Sequence, residues 1–428
     1  MQDTPHVVIL GGGFAGLNAA KKLSGCPVRV TLVDRRNHHL FQPLLYQVAT
    51  AALAPSDIAE PIRAILSGQR NLTVRLAEVT ALDLEAKTIQ LEQAGETTDL
   101  AYDKLIVATG ARHAYFGHPE WETHAPGLKT LSDALHIRER VLTAFERAEW
   151  CEPGPERDRL LTFVVVGAGP TGVEMAGALA EIARHTVARD FTRIDTRTAR
   201  VLLLEGGPQV LASLPQRLGT LARKQLESLG VEVRTEARVE HIDATGVQVG
   251  EEHIPAETVL WAAGVHASPL LVDAGVPTDR SGRALVSQDL SVPGHPDLFV
   301  VGDCAAFKQD GEWLPGVAPV AIGMGRHAAA VIAADVAGRP RAPFRYFDKG
   351  HLATIGRSRA VGVALGMQFS GLIAWLGWAL VHLAFLVTYR NRLVVLTKWA
   401  WAWVSFERAS RLIVERSWAP TATGTADP

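Results

Sequence analysis

Asp34 and Glu205 are the acidic residues best placed to do chemistry, because each closes an apolar run that follows a spaced glycine triplet. The first triplet is Gly11, Gly13 and Gly16, after Val7–Leu10 and before a stretch of helical character from Leu17 to Leu23. Gly11 permits a tight turn, Gly13 lets backbone approach a pyrophosphate, and Gly16 lets helix pack on strand. The free amides of the helix start favour negative charge. Asp34, at the end of Val28–Val33, can accept hydrogen bonds from a ribose 2′-OH.

The arrangement then repeats. Thr162–Val166 leads into Gly167, Gly169, Pro170, Thr171 and Gly172, with a helix expected over Val173–Ala183, and Glu205 follows Arg200–Leu204 as Asp34 follows its own run. The distance from Gly172 to Glu205 exceeds the usual spacing of about 20, so a polar, helical insertion is expected over His185–Ala199. Two such units imply two dinucleotides. The economical assignment is FAD on the first and a nicotinamide cofactor on the second, with hydride passing between stacked rings. Leu105–Gly110 (with Ala108, Thr109 and Gly110 at its end) and Val259–Gly264 (with Ala263 and Gly264) are strands ending in small residues where backbone can approach a cofactor. Leu298–Asp303 returns to the first unit, where Asp303 would hold the ribityl chain of a flavin, cap a short helix, or do both.

These motifs require an α/β fold with two Rossmann-like dinucleotide-binding domains. The expected boundaries are 1–115 and 279–345 for the FAD domain in two parts, 116–278 for the NADH domain, and 346–428 for a C-terminal amphipathic helical membrane anchor. The 428 residues suffice for several cores. Three dispersed cysteines (Cys26, Cys151, Cys304) suggest neither a disulfide framework nor a metal cluster. A net charge of −2 argues against nucleic acid as a partner, and the polar start that runs straight into the first strand is not expected to be a secretion signal.

The charge is uneven. Arg390–Arg416 holds six basic and two acidic residues, giving +4 against −6 elsewhere, and six of the ten tryptophans lie from Trp375 onward. Ala360–Tyr389 contains no Asp, Glu, Lys or Arg. A spanning helix is disfavoured because Ala360–Gly366 alternates like a strand and leaves little more than the minimum length. A buried hairpin is a further alternative. The preferred expectation is a monotopic anchor lying in the interface, with tryptophan at headgroup depth.

The chain resembles the type II NADH:quinone oxidoreductases, within the two-dinucleotide-binding-domain flavoproteins. The resemblance rests on GGGFAG, FQPLLYQVAT, ATG, GAGPTGVE, LWAAG, VGDCA, FDKGHLATIGRSRAV and RNRLVVLTKWAWAWVSFERASRLI, and runs nearly end to end. It implies a ping-pong, non-pumping respiratory enzyme in which NADH reduces non-covalent FAD and the flavin then reduces a membrane quinone. It extends the flavin site to Phe14, Ala15, Arg35, Gln42, Val79, Val320 and Ala321, and places Glu174 near the flavin and nicotinamide in proton- or hydride-linked steps. It puts the quinone beside Gln47, Ala318, Ile322 and Gly323. The family often reads Ala-Gln-x-Ala-x-Gln there, whereas this chain reads Ala318-Pro319-Val320-Ala321-Ile322-Gly323, so both glutamines are missing. Peripheral attachment to the cytoplasmic face of the membrane, and pairing of two copies through the C-terminal region, are further expectations. Rivals are a sulfide:quinone oxidoreductase, which would need a pair of sulfur-handling cysteines, and a non-catalytic redox-sensing flavoprotein.

Overall fold

The computed structural model describes residues 4–405, 408 and 410–413, and the chain divides into two compact units. The first comprises residues up to 40, 59–114 and 265–348; the second comprises 41–58, 115–264 and the chain from 349 onward. This partition differs from the boundaries read in the sequence. Residues 41–58 close on themselves through the Phe41 amide to the Ile58 carbonyl at 2.8 Å, and their helix Leu45–Ala49 lies against Leu131–Trp150. Residues from 265 join the first unit because Val265–Ala267 pairs antiparallel with Ala111–His113. The C-terminal region is part of the second unit rather than an appendage.

In the first unit one sheet runs in the order Ser291–Val292, His295–Val300, Lys104–Val107, His6–Leu10, Arg29–Asp34, Leu72–Leu76. All pairings but the first are parallel. Val7 to Leu10 are fully buried, as an unbroken apolar strand covered on both faces should be. Helix Ala318–Val336 packs closely on helix Phe14–Lys22: a Cβ at Gly325 would lie 2.1 Å from the Ala15 carbonyl oxygen.

In the second unit the parallel order is Val231–Arg234, Arg200–Leu204, Thr162–Val166, Thr258–Trp261. Helix Pro170–Glu181 tightens into a π-helical turn, Ile182–Thr186. The helix expected over 185–199 does not form, and turns and a short 3-10 helix, Thr196–Thr198, take its place. Side chains take the amides that a helix would need. Glu149 accepts from the backbone of Thr192, Arg193 and Ile194 at 2.9–3.1 Å, and Asp195 accepts from the Arg197 amide at 3.0 Å.

From Gly350 three antiparallel strands, Gly350–Gly356, Arg359–Ala364 and Met367–Ser370, lead into helices Gly371–Phe385 and Tyr389–Ser405. The alternation read over Ala360–Gly366 is thus a real strand. Among the described residues no helix is long and apolar enough to cross a membrane. The 15 residues of the first helix span only about 22 Å at roughly 1.5 Å per residue, against about 30 Å of hydrocarbon.

Candidate functional site

Each unit carries the same clasp around its glycine loop. Asp34 accepts from the Gly12 amide at 2.6 Å with one oxygen and from the Arg36 amide at 2.7 Å with the other. Glu205 does the same with Ala168 at 2.7 Å and Gly207 at 2.8 Å. The acids therefore hold loop and strand end together, and their remaining lone pairs stay available to a ribose. Gly11 and Gly167 both have φ +98°, and a Cβ on either would press against the end of a neighbouring strand, at Ala108 and at Ala262–Ala263. Gly16 and Gly172 are required by packing, since a Cβ would lie 1.8 Å from the carbonyl oxygen of Gly11 or Gly167.

Gly13 and Gly169 differ. A Cβ on either meets nothing within 4 Å, and neither helix start has a side-chain cap. The chain itself gives these positions no reason to be glycine, and bare helix amides open to free space are what an incoming pyrophosphate needs. Both loops fit a dinucleotide, with Pro170 and Thr171 opening the second helix.

Around the first loop, Gly302 (φ +77°) lies between Ala15 and Ala321, each Cβ 3.4 Å away, which brings Phe14–Gly16, Val320–Ala321 and Asp303 into one neighbourhood. Asp303 is inside the short 3-10 helix Gly302–Cys304, whose N-cap is Val301, so the capping role entertained for it is not its role. Arg35 reaches Glu78 at 3.4 Å beside Val79. Thr109 and Gly110 end the strand Lys104–Val107. Gln42 opens a 3-10 turn in the second unit. The sequence reading missed His39, which is 2% exposed, hydrogen-bonds the Gly12 carbonyl at 2.9 Å and meets Phe14 edge-on at 5.2 Å. Its partners lie across 27 residues of chain, which no local pattern reveals.

In the second unit a cavity of about 120 Å³ lies against helix Pro170–Glu181. Glu174, Ala178 and Glu181 share one face of that helix at a spacing of four and three, and all three line the cavity. A Cβ on Gly177 would lie 1.7 Å from the Ile355 carbonyl, so the helix touches the strand Gly350–Gly356 backbone to backbone. Glu174 keeps part of its surface open while protein surrounds it. That burial pushes its carboxyl well above the ordinary range, opposed by a hydrogen bond from the Thr354 backbone. At the far end Glu181 accepts from Arg408 at 2.9 Å and from the Arg357 amide at 2.5 Å, and Arg408 also donates to the Thr50 carbonyl at 2.9 Å. Trp378 and Trp399 form an aromatic wall, centroids 5.3 Å apart.

Of the residues read as quinone contacts, Gln47 lines this cavity. Ala318, Ile322 and Gly323 belong to helix Ala318–Val336 of the first unit, where Phe344 stands 3.5 Å from a Cβ at position 323. Tyr46, Trp378, Trp399 and Arg408 were not singled out from the sequence, although the first lies in the FQPLLYQVAT stretch and the others in or near the aromatic C-terminus. The cysteines are unpaired. Cys304 is fully buried, hydrogen-bonds the Val301 carbonyl, and burial raises its thiol. It is an inert packing group rather than half of a sulfur relay.

Residues 5–325 match the family model for pyridine nucleotide-disulphide oxidoreductases. A type II NADH:quinone oxidoreductase of Mycobacterium tuberculosis is 45% identical over 96% of this chain and 90% of its own length. A demethylphylloquinone reductase of Synechocystis is 32% identical over 92% and 95%. In fold, the chain is similar to NDH2 from Plasmodium falciparum in complex with NADH, at a TM-score of 0.87 and 20% identity over 96% of this chain and all of that one. The sulfide:quinone oxidoreductase of Aquifex aeolicus follows at 0.73 and 18%, over 91% and 92%. With two clasped dinucleotide loops and these relatives, the chain belongs to the type II NADH:quinone oxidoreductase family, within the pyridine nucleotide-disulphide oxidoreductases.

Proposed function

We infer that the protein uses FAD to oxidise NADH and reduces a quinone. The observation that carries this is the duplicated acid-clasped glycine loop, one in each unit, in a chain 45% identical to a type II NADH:quinone oxidoreductase over nearly its full length. When bound, FAD supplies the ring that takes a hydride from NADH and hands two electrons to the quinone. Gly11–Gly16, Asp34, Asp303 and Val320–Ala321 bind and orient it. Gly167–Gly172, Glu205 and Ala263–Gly264 bind NADH. Glu174, held largely protonated by burial, supplies a neutral carboxyl in the cavity beside that nucleotide loop. NADH consumption should depend on added short-chain quinone, and NADH oxidation at an unchanged rate without any acceptor would contradict the assignment.

The quinone is a membrane quinone, and the C-terminal helices bring the protein to a lipid surface. Leu372, Ile373, Leu376, Leu380, Trp401 and Val404 are each at least half exposed on them, more apolar surface than a helix facing water carries. Attachment is peripheral and on the cytoplasmic face, since NADH is charged and does not cross a bilayer. Pairing of two chains through the same region would cover part of this face, and sedimentation in detergent measures it.

A further inference from the structure

The cavity beside helix Pro170–Glu181 contains a short hydrogen-bond chain whose direction follows from donor chemistry. Trp399 Nε1 lies 2.7 Å from Gln47 Oε1, and Gln47 Nε2 lies 2.9 Å from Tyr46 Oη. An indole nitrogen can only donate. The amide oxygen of Gln47 must therefore face Trp399, which turns its NH₂ toward Tyr46 and fixes an orientation that density alone rarely distinguishes. The phenol accepts from Gln47, and its own proton remains to be donated elsewhere. Among the described residues no acceptor takes it.

Tyr46 and Gln47 are 7% and 8% exposed, and both line the cavity together with Glu174, Thr354, Trp378 and Trp399. Burial, reinforced by the Glu174 carboxyl, pushes the phenol well above its ordinary range, so it stays protonated. A buried hydroxyl with an unused donor in an aromatic-walled cavity is built to meet a neutral acceptor. A ring carbonyl is such a group, and Pro319 and Gly323 contribute no donor side chain of their own.

We propose that Tyr46 is the hydrogen-bond donor to a quinone carbonyl oxygen in this cavity, with Gln47, anchored by Trp399, as the positioning residue that keeps the phenolic proton directed at the substrate. This rests on the reading of the protein as a quinone reductase. It gives the FQPLLYQVAT stretch a specific role. Its amide is an orienting group and the adjacent phenol is the contact.

Tyr46→Phe keeps the ring and removes the donor. In the holoenzyme it should raise KM for a short-chain quinone about tenfold, the loss expected of one hydrogen bond to a buried acceptor. Flavin reoxidation by quinone should slow relative to flavin reduction by NADH in the same sample. A redox-inert hydroxyquinoline, followed by quenching of the cavity tryptophans, should bind about tenfold more weakly. Gln47→Glu introduces a carboxylate that accepts from both Trp399 and Tyr46, so it should reproduce the weakened binding at neutral pH and recover as the new carboxyl protonates. Unchanged KM and unchanged probe binding in Tyr46→Phe would overturn the assignment of Tyr46 alone. So would weakened binding in Gln47→Ala with Tyr46→Phe unaffected, which would make the amide the contact. Wild-type protein that reduces no quinone would overturn the underlying function as well.

Discussion

At the scale of single residues, Glu205 does two jobs with one carboxylate. It clasps two backbone amides and leaves lone pairs directed at the position of a ribose hydroxyl, where a 2′-phosphate would meet like charge. Comparing kcat/KM should therefore show a strong preference for NADH over NADPH, and Glu205→Ser should shrink that preference while raising KM for NADH severalfold. Asp303→Ala should lower flavin occupancy, read from the absorption spectrum of purified protein. Because Asp303 is not a cap, melting of the flavin-free form should hardly change. Glu174 has a pH signature. Its folded pKa is raised, so the stability it contributes is fully present below the unfolded value near 4.5 and is lost as pH rises through the higher folded value. Glu174→Gln should flatten that decline in melting temperature, slow turnover, and retain FAD.

These residues were legible because their roles are local: a turn, a strand end and a helix start lie within a few positions of one another. Tyr46, His39 and Arg408 were not, since what defines them is a partner tens to hundreds of residues away. Gln47 was marked by its motif, but the indole that orients it is Trp399.

At the scale of elements, the helix Pro170–Glu181 is the beam of the second unit, with the nucleotide loop at one end and the Glu181–Arg408 pair at the other. Both partners of that pair are largely buried, at 15% and 10% side-chain exposure. Glu181→Gln would leave a buried guanidinium uncompensated, and urea titration should show a loss of roughly 3 kcal/mol. His382 tests the hairpin that follows. Burial lowers its pKa to about 4, so its contribution is present above the unfolded value near 6.5 and is lost as pH falls from there toward 4. Amide exchange of helix Gly371–Phe385 should accelerate across that window, and His382→Phe should remove the dependence. Sequence periodicity identified both C-terminal helices and the strand before them. It failed over 185–199, where composition suggested a helix but Glu149, on a distant helix, collects the amides.

At the scale of the whole molecule, charge counted along the sequence overstates what a bilayer would feel. Lys398 pairs with Asp57 at 2.5 Å, Arg408 with Glu181 at 2.9 Å, and Arg411 with Asp190. Of the basic residues described there, Arg390 and Arg392 have no ion-pair partner among the described residues. At roughly 1 kcal/mol per basic residue near an anionic surface, high salt should weaken liposome binding only modestly, and most of the attachment should survive. Replacing exposed apolar residues is the sharper test. Ile373→Glu with Leu380→Glu, at 70% exposure each, should release the protein from vesicles and depress activity with long-tailed quinones far more than with a soluble one. Parallel loss of both activities would indicate damage to the fold.

The paired clasps have an energetic consequence for the catalytic cycle. Because carboxylates on the chain already hold both glycine loops in shape, a nucleotide arriving at either one finds its amides aligned and orders almost no backbone. The conformational entropy that a floppy loop would surrender at each encounter, of order 1–2 kcal/mol per residue fixed, was surrendered once, during folding. Association then retains more of its favourable contact energy. NADH can bind and NAD⁺ can leave without the loop being rebuilt at every turnover, and amide exchange at Gly12 and Ala168 should be slow even in protein stripped of both nucleotides.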